Sequence, residues 1–376
     1  MSERRLAFVY TPEIERLAYP AHCPFKTQRP GQTRQRLRGF GWLGIPGRTE
    51  VEPARATREI LARHHSARYL DELERAAAGQ LTVAGLQMGL GTTDTPVFGD
   101  LLEYGAWACG ASLTAADLLL RGEADIAFAL LGGFHHAHAE RAAGFCYVND
   151  VVLACDRLAT AGKRVVCLDI DAHHGDGTQA AFYGRNDVFT LSMHETGATL
   201  FPWGGFENEL GEGDGRGFNL NVPLPAGTYD AAFLRAFERV SIPLVRAFRP
   251  DVMVLELGMD TLSGDPLTHL SLTNNAMVTA IEHLLDLQLP ILVTGGGGYH
   301  VENTVRGWAL AWQAFAEEHH DLELGLGGVM LGNIDWAGGL RDHHLPVTEE
   351  QRGQVDPALE TTLRTIEQTV FPLHGL

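Results

Sequence analysis

The run from Val165 to Thr178, Val-Val-Cys-Leu-Asp-Ile-Asp-Ala-His-His-Gly-Asp-Gly-Thr, sets the tightest limit on the fold of this chain. An apolar, largely β-branched stretch (Val165, Val166, Leu168, Ile170) breaks off into acids, imidazoles and glycines. A buried parallel strand delivers polar groups to the carboxyl edge of its sheet in this way. Ligand sites lie at such edges. Side chains alternate along a strand, so Asp169, Asp171 and His173 are expected to project to one side, and an Asp-x-His pair offers an oxygen and a nitrogen ligand from one rigid element. The competing reading, a strand-end turn with solvated acids, must account for three carboxylates and two imidazoles within eight residues.

The same punctuation recurs. Strands are predicted over 5–11, 125–131, 164–171, 187–193, 218–222, 252–257 and 290–294, and helices over 55–78, 101–120, 150–160, 229–248, 274–287 and 357–371, with another helix after Tyr299. The first of those helices should break at His64-His65-Ser66. Segments 23–41, 89–100 and 207–217 read as loops, the first either functional or a solvated surface. Such βαβ alternation predicts one mainly parallel sheet with helices on both faces, and right-handed crossovers place every strand's carboxyl end on one edge. That edge collects His135 and His136, the 169–176 cluster, Asp260 and Tyr299. No repeat or linker divides residues 1–376, so they are read as a single domain with its motifs in 132–308 and a C-terminal extension over about 317–376.

Composition narrows the setting. No window nears the roughly 18 unbroken apolar residues of a membrane span, and the opening Met-Ser-Glu-Arg-Arg leads into a strand rather than a signal peptide. Five cysteines without Cys-x-x-Cys spacing read as reduced packing residues, and the expected location is cytoplasmic. The formal charge of −18, with 47 acids against 29 bases, argues against direct nucleic-acid binding. Homo-oligomerisation stays open.

Asp171, His173 and Asp260 would make a three-ligand N/O set with open positions, the pattern of a catalytic rather than a structural zinc site. Adjacent His135 and His136 cannot share one face of an extended strand, so at least one should enter the cleft. Asp169 and Asp176 are carboxylates that could fix the tautomers of those imidazoles. His319-His320 and His343-His344 read as surface pairs. The four glycines at 295–298 lack the Gly-Lys-Ser/Thr ending of a phosphate loop and are better placed to let backbone approach a metal cleft. Tyr299 then either presents its hydroxyl or packs as an aromatic.

With these residues assembled, the chain resembles the histone deacetylase family, class I branch, of the arginase/deacetylase superfamily. The resemblance rests on Gly-Gly-Phe-His-His-Ala (132–137), Gly-Phe-Cys-Tyr-Val-Asn-Asp (144–150), Asp-Ile-Asp-Ala-His-His-Gly-Asp-Gly (169–177), Gly-Met-Asp-Thr-Leu-Ser-Gly-Asp-Pro (258–266) and Gly-Gly-Gly-Gly-Tyr (295–299). It implies a three-layer α/β domain with eight strands and hydrolysis of an acyl-lysine amide. Asp171, His173 and Asp260 would hold zinc, with ferrous iron as the alternative, while His135 pairs with Asp169 and His136 with Asp176. A structural potassium would sit among Asp169, Asp171, His173, Ser192 and Met193, and a second monovalent cation near Phe182, Arg185, Val188 and Phe218. Gly144, Phe145 and Phe201 would wall an acyl-lysine channel, with Asp94 at its rim and Arg29 at its inner end.

The departures carry information. Pro266 and Glu302 stand where some relatives place arginines for inositol phosphate, so that regulation is not expected. Leu267 stands where polyamine-specific relatives carry a gatekeeping glutamate, which favours acetyl-lysine in proteins or peptides over small acetylated amines. Gly175 and Leu262 replace the extra ligands of a two-manganese arginase, so one metal is expected. A catalytically silent acyl-lysine reader is disfavoured because each expected catalytic residue is present.

Overall fold

The computed structural model describes residues 4–317 and 339–376. Its strands are β1 Leu6–Val9, β2 Arg48–Val51, β3 Ile126–Ala129, β4 Val165–Asp169, β5 Val188–Glu195, β6 Asn219–Leu224, β7 Val252–Glu256 and β8 Ile291–Thr294. They form one sheet in the order β2-β1-β3-β8-β7-β4-β5-β6. Every pairing is parallel, so the expected mainly parallel sheet is wholly parallel among the described residues. All strands but β2 are buried along their whole length. Helices cover both faces, which is why these strands read as unbroken apolar runs rather than as alternating ones.

The helices Leu101–Leu120 and Asp150–Thr160 match the predicted bounds, and the predicted break near residue 65 separates Arg58–Leu61 from Ala67–Ala77. Ser66 causes the restart: its hydroxyl accepts from the Tyr69 N–H at 3.2 Å, a side-chain cap of the kind that starts helices.

Among the elements that differ from the reading, four bear on the site or the core. Segment 23–41 contains a helix, Arg29–Gly39, whose buried face carries Arg29, Pro30, Gly31, Thr33 and Leu37 and so shows no apolar period. The edge strand β2 is half-exposed and polar, and it was not expected. The short helix Asp176–Phe182 hides because its first turn is built from site residues. The last helix starts at Glu349, eight residues before the expected start, and carries Pro357 inside it. Thr348 is its cap, accepting from Gln351 N–H at 3.1 Å. This helix is no loose extension. Val355, Leu359, Leu363 and Ile366 enter the core, and Arg239 binds Glu360 and Glu367 at 2.7 and 2.6 Å. It packs against the edge strand β6, and a covered edge cannot template further strand pairing. His343 and His344 are exposed, as expected of a surface pair, whereas His319 and His320 lie outside the described residues.

Candidate active site

Strands β3, β8, β7 and β4 are neighbours at the sheet's centre, so the loops at their carboxyl ends meet. Asp171 and His173 follow β4, Asp260 follows β7, the glycine loop follows β8, and His135 and His136 follow β3. His173 Nδ1 lies 2.8 Å from Asp260 Oδ2 and 3.2 Å from Asp171 Oδ1. All three are buried, and their ligand atoms lie within 4.8 Å of one another. Backbone donors aim the carboxylates: Ala172 N–H reaches Asp260 Oδ1 at 2.9 Å, and Gly297 N–H reaches Asp171 Oδ2 at 2.6 Å. A Cβ at Gly297 would overlap the Asp260 carboxylate, which explains the glycine run without a phosphate.

The charges here are out of balance. Burial, then Asp171, pushes Asp260 up to about 7. Burial acts the same way on Asp171, but His135 and His173 outweigh it and hold Asp171 well below the usual carboxylate range. Burial would lower His173, yet the two carboxylates raise it to about 10. A proton held between two buried acids marks the place where a cation fits. Two carboxylates and one imidazole suit a divalent ion such as zinc or ferrous iron.

Beside this set stand two imidazole–carboxylate pairs. His135 Nδ1 meets Asp169 Oδ2 at 2.8 Å, and His136 Nδ1 meets Asp176 Oδ1 at 2.8 Å. Both imidazoles are buried at the cleft, more than the at-least-one expected, and their Nε2 atoms face each other at 3.1 Å. Burial lowers both, but Asp169 and Asp171 raise His135 to about 9 while its charge helps hold His136 at about 3. The pair therefore has one charged member and one neutral member whose Nε2 is an acceptor.

Three residues of this region escaped the sequence reading. Glu256 ends β7 fully buried, with Oε1 3.7 Å from His135 Nδ1 and without a hydrogen-bond partner. Burial and then Asp169 push it well above its ordinary value. With His135 and Asp169 it forms a second group whose ligand atoms lie within 4.8 Å. An acid inside an apolar strand was a legible signal. Asp150 accepts from the N–H groups of Gly133 and Phe134 at 3.0 and 2.8 Å, fixing the loop that carries the histidines. Asp265 ties two rim elements together, accepting from Leu267 N–H at 3.0 Å and Tyr299 N–H at 2.7 Å.

Aromatic rings surround the cleft. Phe201 lies 5.0 Å from the His136 ring and 6.5 Å from His173, and Phe145 lies 5.6 Å from Tyr299. The Tyr299 ring stands perpendicular to His173 at 6.2 Å. Burial, then Asp260, pushes its hydroxyl well above its ordinary value, so it stays a donor. Gly144 takes φ +51°, and a Cβ there would collide with the His136 ring. Arg29 is buried, donating to Gly298 O at 2.9 Å with its guanidinium 4.6 Å from the Phe25 ring. Leu267 is half-buried, and Asp94 is exposed in the 89–100 loop.

The residues expected around monovalent cations fall in two places. Ser192 is the β5 neighbour of Asp169, with Met193 next to it and the Ser192 hydroxyl 2.7 Å from His194 Nδ1. Phe182 and Val188 are buried further back, Arg185 pairs with Asp187 at 2.7 Å and Asp156 at 3.1 Å, and Phe218 packs 5.8 Å from Phe248.

A parallel α/β domain with a two-carboxylate, one-imidazole set beside paired imidazoles is the architecture of a metal-site hydrolase of the deacetylase type. Comparison with known proteins agrees. The histone deacetylase domain pattern matches residues 23–315. Acetoin utilization protein AcuC of Bacillus subtilis is 38% identical over 317 residues, covering 82% of this chain and 81% of that one. Histone deacetylase 8 of Xenopus laevis is 38% identical over 260 residues, 69% of this chain and 80% of its own. The solved structure of a histone deacetylase homologue from Aquifex aeolicus superposes with a TM-score of 0.82 at 30% identity, covering 95% of this chain and all of that one. The chain belongs to the histone deacetylase family.

Proposed function

We propose that this protein removes acetyl groups from the ε-amine of lysine in proteins or peptides, using one divalent ion, zinc first and ferrous iron second. The observation that carries the reading is the meeting of Asp171, His173 and Asp260 with the paired imidazoles His135 and His136 in one aromatic-walled cleft. Asp171, His173 and Asp260 would hold the ion, which when bound supplies Lewis acidity toward the amide carbonyl and water. His136, neutral and backed by Asp176, takes the water's proton and returns it to the departing amine. His135, held charged by Asp169, stabilises the negative charge that develops, and Tyr299 donates to the oxyanion. Phe145, Phe201 and Gly144 would wall a channel for the slim, uncharged acyl-lysine chain, with Leu267 and Asp94 at its mouth and Arg29 bracing its inner end.

Potassium is proposed as a structural ion at Asp169, Asp171, His173, Ser192 and Met193, with a second monovalent site near Phe182, Arg185, Val188 and Phe218. Support comes from the family resemblance and from Ser192 lying beside Asp169 in the sheet. A cytoplasmic setting is proposed with it, in keeping with five buried thiols that form no disulfide. Among the described residues no helix is long and apolar enough to cross a membrane.

The test is a panel of acetyl-lysine peptides beside acetylated polyamines, with chelation and metal add-back. Chelator-sensitive release of acetate from the peptides is expected. Preference for the polyamines would overturn the substrate, and turnover indifferent to chelation would overturn the metal.

A further inference from the structure

Asp176 serves two imidazoles, and the proposed reaction uses only one. His136 Nδ1 takes its Oδ1 at 2.8 Å, while His138 Nε2 takes its Oδ2 at 3.0 Å. His136 and His138 thus straddle the one carboxylate that opens the helix Asp176–Phe182. Backbone holds His138 in place, its N–H donating to Arg141 O at 2.9 Å in a small antiparallel bridge. A carboxylate only accepts, so His138 Nε2–H is the donor to Oδ2. Arg141 Nη2, 2.8 Å from that ring nitrogen and 3.7 Å from Oδ2, is a donor too and adds charge rather than a further hydrogen bond to the imidazole. His138 is partly exposed and Arg141 about half exposed, so this outer layer faces solvent while His136 is buried.

We infer that His138 is a positioning residue: by holding the outer oxygen of Asp176 it fixes the inner oxygen against His136, and so fixes the ring and tautomer of the base. Without it the carboxylate is free to rotate away from His136 toward Arg141. Second-layer partners of this kind typically contribute a factor of about 10 or more to activity. The inference rests on His136 acting as base in the proposed deacetylation.

The experiment compares the parent with His138→Leu, His138→Phe and His138→Gln, each zinc-loaded, on one acetyl-lysine peptide. The two apolar variants should lose about tenfold in kcat with KM nearly unchanged, and glutamine, which can still donate, should recover most of it. The downfield proton resonance of His136 Nδ1–H, identified by its loss in Asp176→Asn, should broaden or shift in the apolar variants and return in the glutamine variant. Zinc content and thermal midpoint should match the parent. An inactive parent would refute the proposed function instead. An active parent whose apolar variants keep kcat and the resonance, or lose kcat only in step with zinc or folding, overturns the role of His138.

Discussion

His135 and His136 turn their Nε2 atoms toward each other at 3.1 Å while their Nδ1 atoms bind separate carboxylates, Asp169 and Asp176. Two imidazoles so placed cannot both carry a proton on the facing nitrogens. The acids nearest His135 assign the charge to it, leaving His136 as acceptor. His136→Ala should therefore keep its metal and lose most turnover, by a factor of about 10² to 10⁴. Metal analysis and kcat on one peptide check this. Near-parental rates would move the base role to His135.

What the sequence made legible follows from burial on both faces of the sheet. Strands such as Val165–Asp169 and Val252–Glu256 are continuous apolar runs ending in polar groups, so both the fold and the convergence of Asp171, His173 and Asp260 could be read. Elements that escaped carry no such contrast. The helix Arg29–Gly39 buries arginine, glycine and threonine, and the Asp176–Phe182 helix begins inside the site. Glu256, the lone acid closing an apolar strand, was legible and was passed over, whereas Asp265 works through backbone N–H groups of its own loop and of the glycine loop, a role no spacing announces.

Tyr299→Phe should separate catalysis from binding. The substitution keeps the ring against His173 and Phe145 and removes only the hydroxyl. Loss of one oxyanion donor costs about 10²- to 10³-fold in turnover, while substrate affinity should change far less. Steady-state kinetics with direct binding decides it. Parallel loss of both would make Tyr299 a substrate-holding residue.

Leu267 should set substrate preference at the channel mouth. Its half-buried side chain gives a polyamine's second ammonium no compensation for lost hydration, whereas a carboxylate would. Acetyl-lysine peptides should beat acetylspermidine in kcat/KM, and Leu267→Glu should narrow the gap. An unchanged ratio in that variant would remove Leu267 from specificity.

Acid sensitivity should trace in part to His64 and His65, which lie away from the metal ligands. Burial holds both neutral, pulling them down to about 4 and about 3. The unfolded chain binds these protons near its ordinary value of 6.5. Their contribution is thus complete above that pH and is lost as pH falls toward the folded values. His64→Asn should flatten the dependence of unfolding free energy on pH near pH ~5 by ~1.4 kcal/mol per pH unit, one proton's worth. Denaturant unfolding across that range measures it, and parallel curves for parent and variant would contradict the assignment.

The most direct test of the central claim is a zinc titration of metal-stripped protein, reading acetate release from an acetyl-lysine peptide. Of the two buried groups whose ligand atoms lie within 4.8 Å, Asp171, His173 and Asp260 are the proposed zinc ligands and His135 is held charged by Asp169, so activity should rise linearly and level off at one zinc per chain. Asp260→Ala, folded as judged by circular dichroism, should bind zinc weakly and stay inactive over the same range. Activity in the stripped protein, or a fully active Asp260→Ala, would contradict the account.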